Sequence, residues 1–158
     1  MAALPLLCLL AGKQLAAQSV TFAQLSDPAV PGSSGKLTPS EWLDGQHALL
    51  WAMAEINRLV RSGKKLDFVV VTGGFGLYDA PASQERIRAL DSALVPAIYV
   101  LRGPDDEQGA FREFVTQLRQ ALHGKEVRDI STEAVAVSNL QILGLNSCLL
   151  YTSDAADE

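Results

Sequence analysis

Three short apolar runs, separated by helical patterns, constrain the fold of this chain more than any other feature of its sequence. The runs span Val20 to Leu25, Phe68 to Val71 and Ala97 to Leu101. The second run is rich in valine and continuously apolar, which suits a strand that is covered on both faces. Strands that alternate with helices form parallel sheets, because right-handed crossovers place successive strands side by side. The sequence therefore predicts an α/β fold with mainly parallel strands and flanking helices.

Three helices are expected around these strands. The first begins at Pro39 within a capping box, Thr38-Pro39-Ser40-Glu41, and Gly63 provides its stop signal. In the first helix, Leu49, Met53, Ile56 and Val60 follow at helical spacing. Apolar spacing also predicts a second helix over about Ser83–Leu94, with Ile87, Leu90 and Leu94 on one face. A third helix is predicted over about Glu107–His123, with Phe111, Phe114, Val115, Leu118 and Leu122 inward. The chain is therefore expected to run strand, helix, strand, helix, strand, helix.

After the third helix, the pattern changes to two short apolar stretches. They cover Val135 to Val137 and Gln141 to Leu145, and Ser138-Asn139-Leu140 lies between them. Short alternating stretches joined by a few turn-forming residues are typical of a hairpin. We therefore expect a hairpin at the end of the folded region.

The composition excludes some classes of partner. The chain has 158 residues, of which 48% are hydrophobic and 20% charged, and its formal net charge is -5. These proportions are ordinary for one globular domain with a core. A net negative charge without a basic stripe argues against nucleic-acid binding.

The first 18 residues are expected to be a signal peptide rather than part of the domain. Ala2 to Ala11 is an apolar run, and Leu15-Ala16-Ala17 supplies small residues of the kind that precede a cleavage site. The run is too short to cross a bilayer as a helix, so no stable membrane span is predicted. A genuine signal implies export to a periplasmic or secreted location, whereas a buried N-terminal helix would leave the protein cytoplasmic.

The last 11 residues are expected to be foreign to the protein. The segment Cys148-Leu-Leu-Tyr-Thr-Ser-Asp-Ala-Ala-Asp-Glu158 resembles the translation of an adapter that is used in sequencing libraries. Such segments are left out of fold prediction. The predicted domain organisation is therefore 1–18 as signal peptide, 19–147 as one truncated domain and 148–158 as a non-native tail.

Short polar loops follow each of the three predicted strands. They are Ser26-Asp27-Pro28-Ala29, Thr72-Gly73-Gly74-Phe75-Gly76 and Arg102-Gly103-Pro104-Asp105-Asp106. In spacing and setting, these loops resemble the calcineurin-like metallophosphoesterases, whose N-terminal half carries D-x-H, G-D and G-N-H-[DE] after successive strands. The match covers about residues 19 to 147, which is the first half of such a domain.

The resemblance implies a metal-dependent hydrolase of phosphomonoesters or phosphodiesters, with a small phosphoester as its ligand. Family members hold two divalent metals, chosen from Mn, Fe, Zn or Mg. Two close cations need a bridging anion, further oxygen or nitrogen ligands and an open position for water. The metals then lower the pKa of the water and bind the phosphoryl oxygens.

Transferred residue by residue, the resemblance leaves Asp27 as the one surviving metal ligand. The degraded motif positions are Ala29 in place of a ligand His, Gly74 in place of the bridging Asp, Pro104 in place of a ligand Asn, and Asp105 in place of the His that assists the leaving group. Asp106 keeps the final acid, which supports the loop in the family. The two histidines of the chain, His47 and His123, fall in predicted helices instead of these loops.

These losses predict that the chain as written has no catalytic residues, binds no cofactor and does not hydrolyse phosphoesters. Asp27, Asp105 and Asp106 could together hold one hard cation weakly, or could simply cap nearby helix starts. Because the scaffold residues persist around the missing ligands, a binding or interaction pseudoenzyme that uses the degraded cleft is one alternative function. A non-functional gene fragment is the other, and the sequence does not separate natural ligand loss from an introduced one.

Overall fold

The computed structural model describes residues 19–26, 28, 39–77, 80–104 and 106–144, and for 39–47 and 80–82 it describes the backbone alone. The predicted signal peptide, the predicted tail and Thr38 of the predicted capping box lie outside these residues. Six strands and three helices occupy the described part of the chain. Their bounds are β1 Phe22–Ser26, α1 Pro39–Arg61, β2 Phe68–Thr72, α2 Ala80–Asp91, β3 Ala97–Leu101, α3 Gln108–Ala121, β4 Glu126–Asp129, β5 Val135–Val137 and β6 Leu140–Ile142.

Strands β1 to β4 form one parallel sheet in the order β1-β2-β3-β4. The α/β fold with a parallel sheet is therefore confirmed. The first three strands lie side by side, as right-handed crossovers predict. The fourth strand was missed because Val127 is the one apolar residue among Glu126, Val127, Arg128 and Asp129. It forms through its backbone ladder with β3, and a charged strand is normal at the edge of a sheet.

All three helices pack on one face of this sheet. Because the strands are added in chain order and in one direction, right-handed crossovers place every helix on the same side. One core cluster joins the helices to Val69, Val71 and Val100 of the sheet. The helical members of this cluster are Leu49, Met53 and Ile56 of α1, Ile87, Ala89 and Leu90 of α2, and Phe111, Phe114, Val115 and Leu118 of α3. The predicted inward faces of α1 and α3 are thereby confirmed.

The opposite face of the sheet is covered in part by the antiparallel β5–β6 hairpin. Val135, Val137 and Ile142 of the hairpin belong to a second cluster with Phe68, Val70, Ala97, Tyr99, Leu101 and Ile130. Successive residues of β2 therefore alternate between the two clusters, which explains why the run from Phe68 to Val71 is apolar throughout. The hairpin was predicted, although β6 covers Leu140–Ile142 instead of Gln141–Leu145.

Helix α2 differs from its prediction at both ends. It begins at Ala80 and ends at Asp91. The earlier start is compatible with Pro81, because proline is tolerated in the first turn of a helix. Leu94 lies beyond the helix and is 47% exposed, so the prediction that it shares a helix face with Ile87 and Leu90 was wrong. Its N–H donates to Oδ1 of buried Asn57 (2.6 Å), whose Nδ2 donates to the carbonyl of Ser92 (2.8 Å). This amide joins α1 to the α2–β3 connection.

Helix α1 is 23 residues long. Length alone does not make a helix suitable for a bilayer, because charged side chains are costly in hydrocarbon. Glu55, Arg58 and Arg61 lie on α1. Throughout the ranges that the structure describes, no helix combines the length and apolar character needed to cross a membrane.

Candidate functional site

The carboxyl ends of β1, β2 and β3 meet at one edge of the sheet, which we call the carboxyl edge. Ser26 is in register with Thr72, and Thr72 is in register with Leu101. The hydroxyl oxygens of Ser26 and Thr72 lie 3.2 Å apart, within hydrogen-bond distance. Ligands of open α/β sheets bind outside the carboxyl ends of the strands. This edge is where the three motif loops begin.

The structure places some of the predicted site residues and not others. Asp27, Ala29 and Asp105 lie outside the described residues. Gly74 and Pro104 are described, and they follow β2 and β3 at the carboxyl edge. The loops that carry them are in direct contact, so the predicted second and third motifs are neighbours in space.

Gly103 and the backbone of the β2–α2 loop touch each other. A Cβ at position 103 would lie 2.4 Å from the nitrogen of Gly74 and 2.8 Å from the carbonyl carbon of Gly73. Real Cβ atoms do not approach backbone this closely. Gly73 has a φ of +82°, and its N–H donates to the carbonyl of Leu101 at 3.1 Å. The glycines are therefore required for the contact between the two loops.

A buried carboxylate joins the same two loops. Asp106 is 3% exposed. Its Oδ1 and Oδ2 accept from the N–H of Phe75 at 2.9 and 3.2 Å, and Oδ2 also accepts from the N–H of Gly103 at 3.0 Å. Backbone N–H groups satisfy a buried carboxylate well, because they supply fixed donors where water is excluded. We refer to this arrangement as the Asp106 bridge.

Two arginines extend the Asp106 bridge. Buried Arg86 of α2 donates from Nε to the carbonyl of Phe75 at 3.0 Å. Arg102 donates from Nη1 to the carbonyl of Asp106 at 2.9 Å. The N–H of Arg102 also donates to Oγ of Ser131 at 2.8 Å. The loops after β2, β3 and β4 are thus held together by polar contacts to backbone groups.

The start of α3 is neutralised by its own side chain. Glu107 is the N-cap, and its carboxylate accepts from the N–H groups of Gly109 (2.9 Å) and Ala110 (2.7 Å). These bonds lower the pKa of Glu107, and the positive charge of nearby Arg102 lowers it further. An acid at this position also interacts favourably with the helix dipole. The N–H groups of Gly109 and Ala110 are therefore engaged within the chain.

The described residues at the carboxyl edge do not fit the two metals that the motif resemblance implies. Gly74 has no side chain, and Pro104 has no side-chain oxygen or nitrogen, so neither supplies a ligand atom from its side chain. Both oxygens of Asp106 are committed to backbone N–H groups. Within the described ranges, no three His, Cys, Asp or Glu side chains form a group that could hold a metal ion.

The sequence pattern did not predict a functional role for Ser26, Thr72, Arg102 or Ser131. Hydroxyl and guanidinium groups of this kind are common on protein surfaces, so residue type alone gives little signal. Their position directly at or after a strand end was the available signal. Arg86 could not be found in this way, because its role depends on the fold that brings α2 beside the β2 loop.

The chain matches no protein-family model, no curated protein and no solved structure. Its relation to the metallophosphoesterases therefore remains a prediction from the three loop motifs.

Proposed function

We propose that this chain is a metallophosphoesterase-like domain that does not hydrolyse phosphoesters and that binds a small phosphoester-type anion at its carboxyl edge. One observation carries the first part of this proposal. At the two described motif positions that would need ligand side chains, Gly74 and Pro104 offer none, and the loops are joined instead by backbone contact and by the Asp106 bridge.

The described residues at the carboxyl edge support binding of an anion better than metal-assisted hydrolysis, because no three of the described His, Cys, Asp and Glu side chains form a group that could hold a metal ion. Two-metal hydrolysis depends on cations that activate water and stabilise the leaving oxygen. Binding an anion requires fixed donors and a positive charge, without any change of bonding. The Asp106 bridge fixes the loops after β2 and β3, so groups on them keep their positions with little entropy left to lose on binding.

Two groups support an anionic ligand. The hydroxyls of Ser26 and Thr72 lie together at the strand ends. Thr72 donates its hydroxyl hydrogen to the carbonyl of Leu25 at 3.3 Å, which leaves the Ser26 hydroxyl to donate to a phosphoryl oxygen. Arg102 follows β3, and its Nη1 is held by the carbonyl of Asp106. A guanidinium is a planar fork of donors that matches phosphate geometry. The ligand class is therefore a small phosphoester or inorganic phosphate.

The first test measures turnover. The full chain is incubated with Mn²⁺ and either p-nitrophenyl phosphate or bis-p-nitrophenyl phosphate, beside the matched variant Asp27→Asn. We expect both proteins to show the same background release of nitrophenol. Mn²⁺-dependent turnover that the Asp27→Asn variant loses would refute the proposed inactivity.

The second test asks whether the motif register is right. The combined variant Ala29→His, Gly74→Asp, Pro104→Asn and Asp105→His, made in a full-length context that includes the second half of such a domain, restores the ligand types of the family at these four positions. Gly74 does not have a positive φ, so a side chain at this position causes no backbone strain. We expect this variant to take up Mn²⁺ in calorimetry and in electron paramagnetic resonance, whereas the parent does not. A correctly folded variant without Mn²⁺ uptake would contradict the family relation.

The third test addresses the ligand. Inorganic phosphate and p-nitrophenyl phosphate are titrated into labelled protein, and amide shifts are followed by NMR. We expect shifts at Thr72, Gly73 and Gly103, and an affinity at least about tenfold weaker in Arg102→Gln, since a lost charge-assisted contact is worth about 1.5 to 3 kcal/mol. The control is Arg112→Gln, a change at an exposed position on α3. Equal affinities in the two variants would show that Arg102 does not bind the ligand and would overturn this part of the proposal.

A further inference from the structure

The two outer edges of the parallel sheet differ in chemistry. With the order β1-β2-β3-β4, strand β4 forms one edge and β1 forms the other. In the described part of the chain, no strand pairs with the outer side of β1. An edge strand presents a row of N–H and C=O groups that can pair with another strand, and soluble proteins usually protect such edges.

Strand β4 carries the usual protection. Glu126, Arg128 and Asp129 occupy three of its four positions. Arg128 forms an ion pair with Glu126 at 3.0 Å and lies 3.9 Å from the carboxylate of Glu133. Charged side chains discourage strand pairing because pairing would desolvate them.

Strand β1 carries no such protection. Residues 19 to 26 are Ser-Val-Thr-Phe-Ala-Gln-Leu-Ser, without a charged residue, a proline or a glycine. Phe22 is 49% exposed, although its ring stacks on Phe68 at 5.0 Å with the ring planes 8° apart. Phe68 in turn lies 5.0 Å from Tyr99. A row of aromatic rings therefore crosses three strands and ends at the open edge.

The backbone hydrogen bonds show which groups face outwards. The N–H of Thr21 donates to the carboxylate of Asp67, and the carbonyl of Thr21 accepts from the N–H of Asp67. Both backbone groups of Thr21 thus face the β2 side. Since these groups alternate along a strand, those of Val20, Phe22 and Gln24 face away from β2, towards the open edge.

We propose that β1 pairs with β1 of a second copy of this chain in an antiparallel, two-fold symmetric arrangement centred on Phe22. An isologous contact needs a patch that complements itself. An uncharged strand meets its own copy without like-charge contacts, so charge favours a second copy over a charged partner. The register opposes Phe22 to the partner copy's Phe22 and extends the aromatic row across the junction, and aromatic cross-strand pairs are favourable. The observations that carry this dimer do not depend on the proposed ligand site.

Sedimentation velocity on the full chain tests the proposal over a protein concentration range of about 1 to 100 μM, which suits the small interface of one strand pair. The N–H of Gln24 faces outwards, so Gln24→Pro removes a donor from the open edge and leaves the β1–β2 ladder intact. We expect the parent and Gln24→Ala to dimerise with similar midpoints, and Gln24→Pro to shift the midpoint at least about tenfold. A parent that stays monomeric, because another segment or nothing covers β1, would overturn the proposal, as would a dimer that Gln24→Pro leaves unchanged.

Cross-linking tests the register without relying on the stability of any variant's dimer. In a Cys8→Ser, Cys148→Ser background, Phe22→Cys places two thiols opposite each other, with Cα atoms about 5.5 Å apart. Gln24→Cys places them several residues apart along the strands. We expect rapid disulfide formation for Phe22→Cys and little for Gln24→Cys, and the reverse order would overturn the proposed arrangement.

Discussion

The Asp106 bridge makes a quantitative prediction about stability. Asp106→Asn keeps the size of the side chain, but it replaces one acceptor oxygen with an NH2 group. The hydrogens of this NH2 group would face backbone N–H groups, which are also donors. Two N–H groups, those of Phe75 and Gly103, depend on the carboxylate. A hydrogen bond to a charged group contributes about 1.5 to 3 kcal/mol, and a buried donor left unsatisfied costs about 1 to 3 kcal/mol. Since the amide keeps one acceptor, we expect a loss of about 2 to 4 kcal/mol in the free energy of unfolding.

Urea denaturation of the full chain, followed by circular dichroism, measures this change. With a slope of about 1.5 kcal/mol per molar urea, the midpoint should fall by about 2 M. Hydrogen exchange should also accelerate at the amides of Phe75 and Gly103, because local opening no longer breaks a charged bond.

Glu107→Gln is the matched control for this experiment. Glu107 is the neighbouring residue, and its carboxylate also accepts from two backbone N–H groups. The two sites differ in exposure, since Asp106 is buried and Glu107 is exposed to solvent. Water can replace the lost bonds at Glu107, so its midpoint should change much less. A loss below about 1 kcal/mol for Asp106→Asn, or equal losses in the two variants, would refute the importance of burial to the bridge.

Three further results are expected. Gly103→Ala should destabilise the fold by about 3 kcal/mol, because a Cβ would overlap backbone atoms. Gly109→Ala is the control, and it should leave the urea midpoint nearly unchanged or raised, because its Cβ would meet a flexible side chain. Similar urea midpoints for the two variants would contradict the close contact at Gly103. Asn57→Ala should cost about 2 to 3 kcal/mol in thermal or urea unfolding, because it leaves two backbone groups without their partner, and a change below about 0.5 kcal/mol would count against this role. The lowered pKa of Glu107 stabilises the fold above the unfolded value near 4.5, and this contribution disappears as the pH falls through the folded pKa. The urea midpoints of the parent and Glu107→Gln should therefore converge between about pH 7 and about pH 3, and a gap that widens on acidification would contradict this sign.

The main elements of the fold could be predicted because their signals are local. The run from Ala97 to Leu101 is β3 to the residue, and the spacing of Phe111, Phe114 and Leu118 places the inward face of α3 correctly. Hydrophobic periodicity carries this information within a single element. Strand β4 has no such signal, because its pairing with β3 depends on backbone groups that every sequence possesses.

The candidate site could be located from sequence but not described. Because Gly74 and Pro104 follow predicted parallel strands, both were expected at one edge of the sheet. The structure places the loops that carry them in contact. The bonds from Phe75 and Gly103 to Asp106 could not be predicted in this way. Their donors are backbone N–H groups on two separate loops, and the choice of acceptor depends on how those loops pack.

The sequence by itself determined that this chain forms an α/β sheet with its polar loops after the strands, because apolar spacing fixes which faces must be buried. The tertiary structure alone decided that three helices share one face, that Asp106 and Arg86 hold the β2 loop, and that β1 is an edge strand among the strands that the structure describes. These features depend on contacts between residues far apart in the chain. Such contacts are set by packing and by the pairing of backbone groups, which leave no pattern in any one segment.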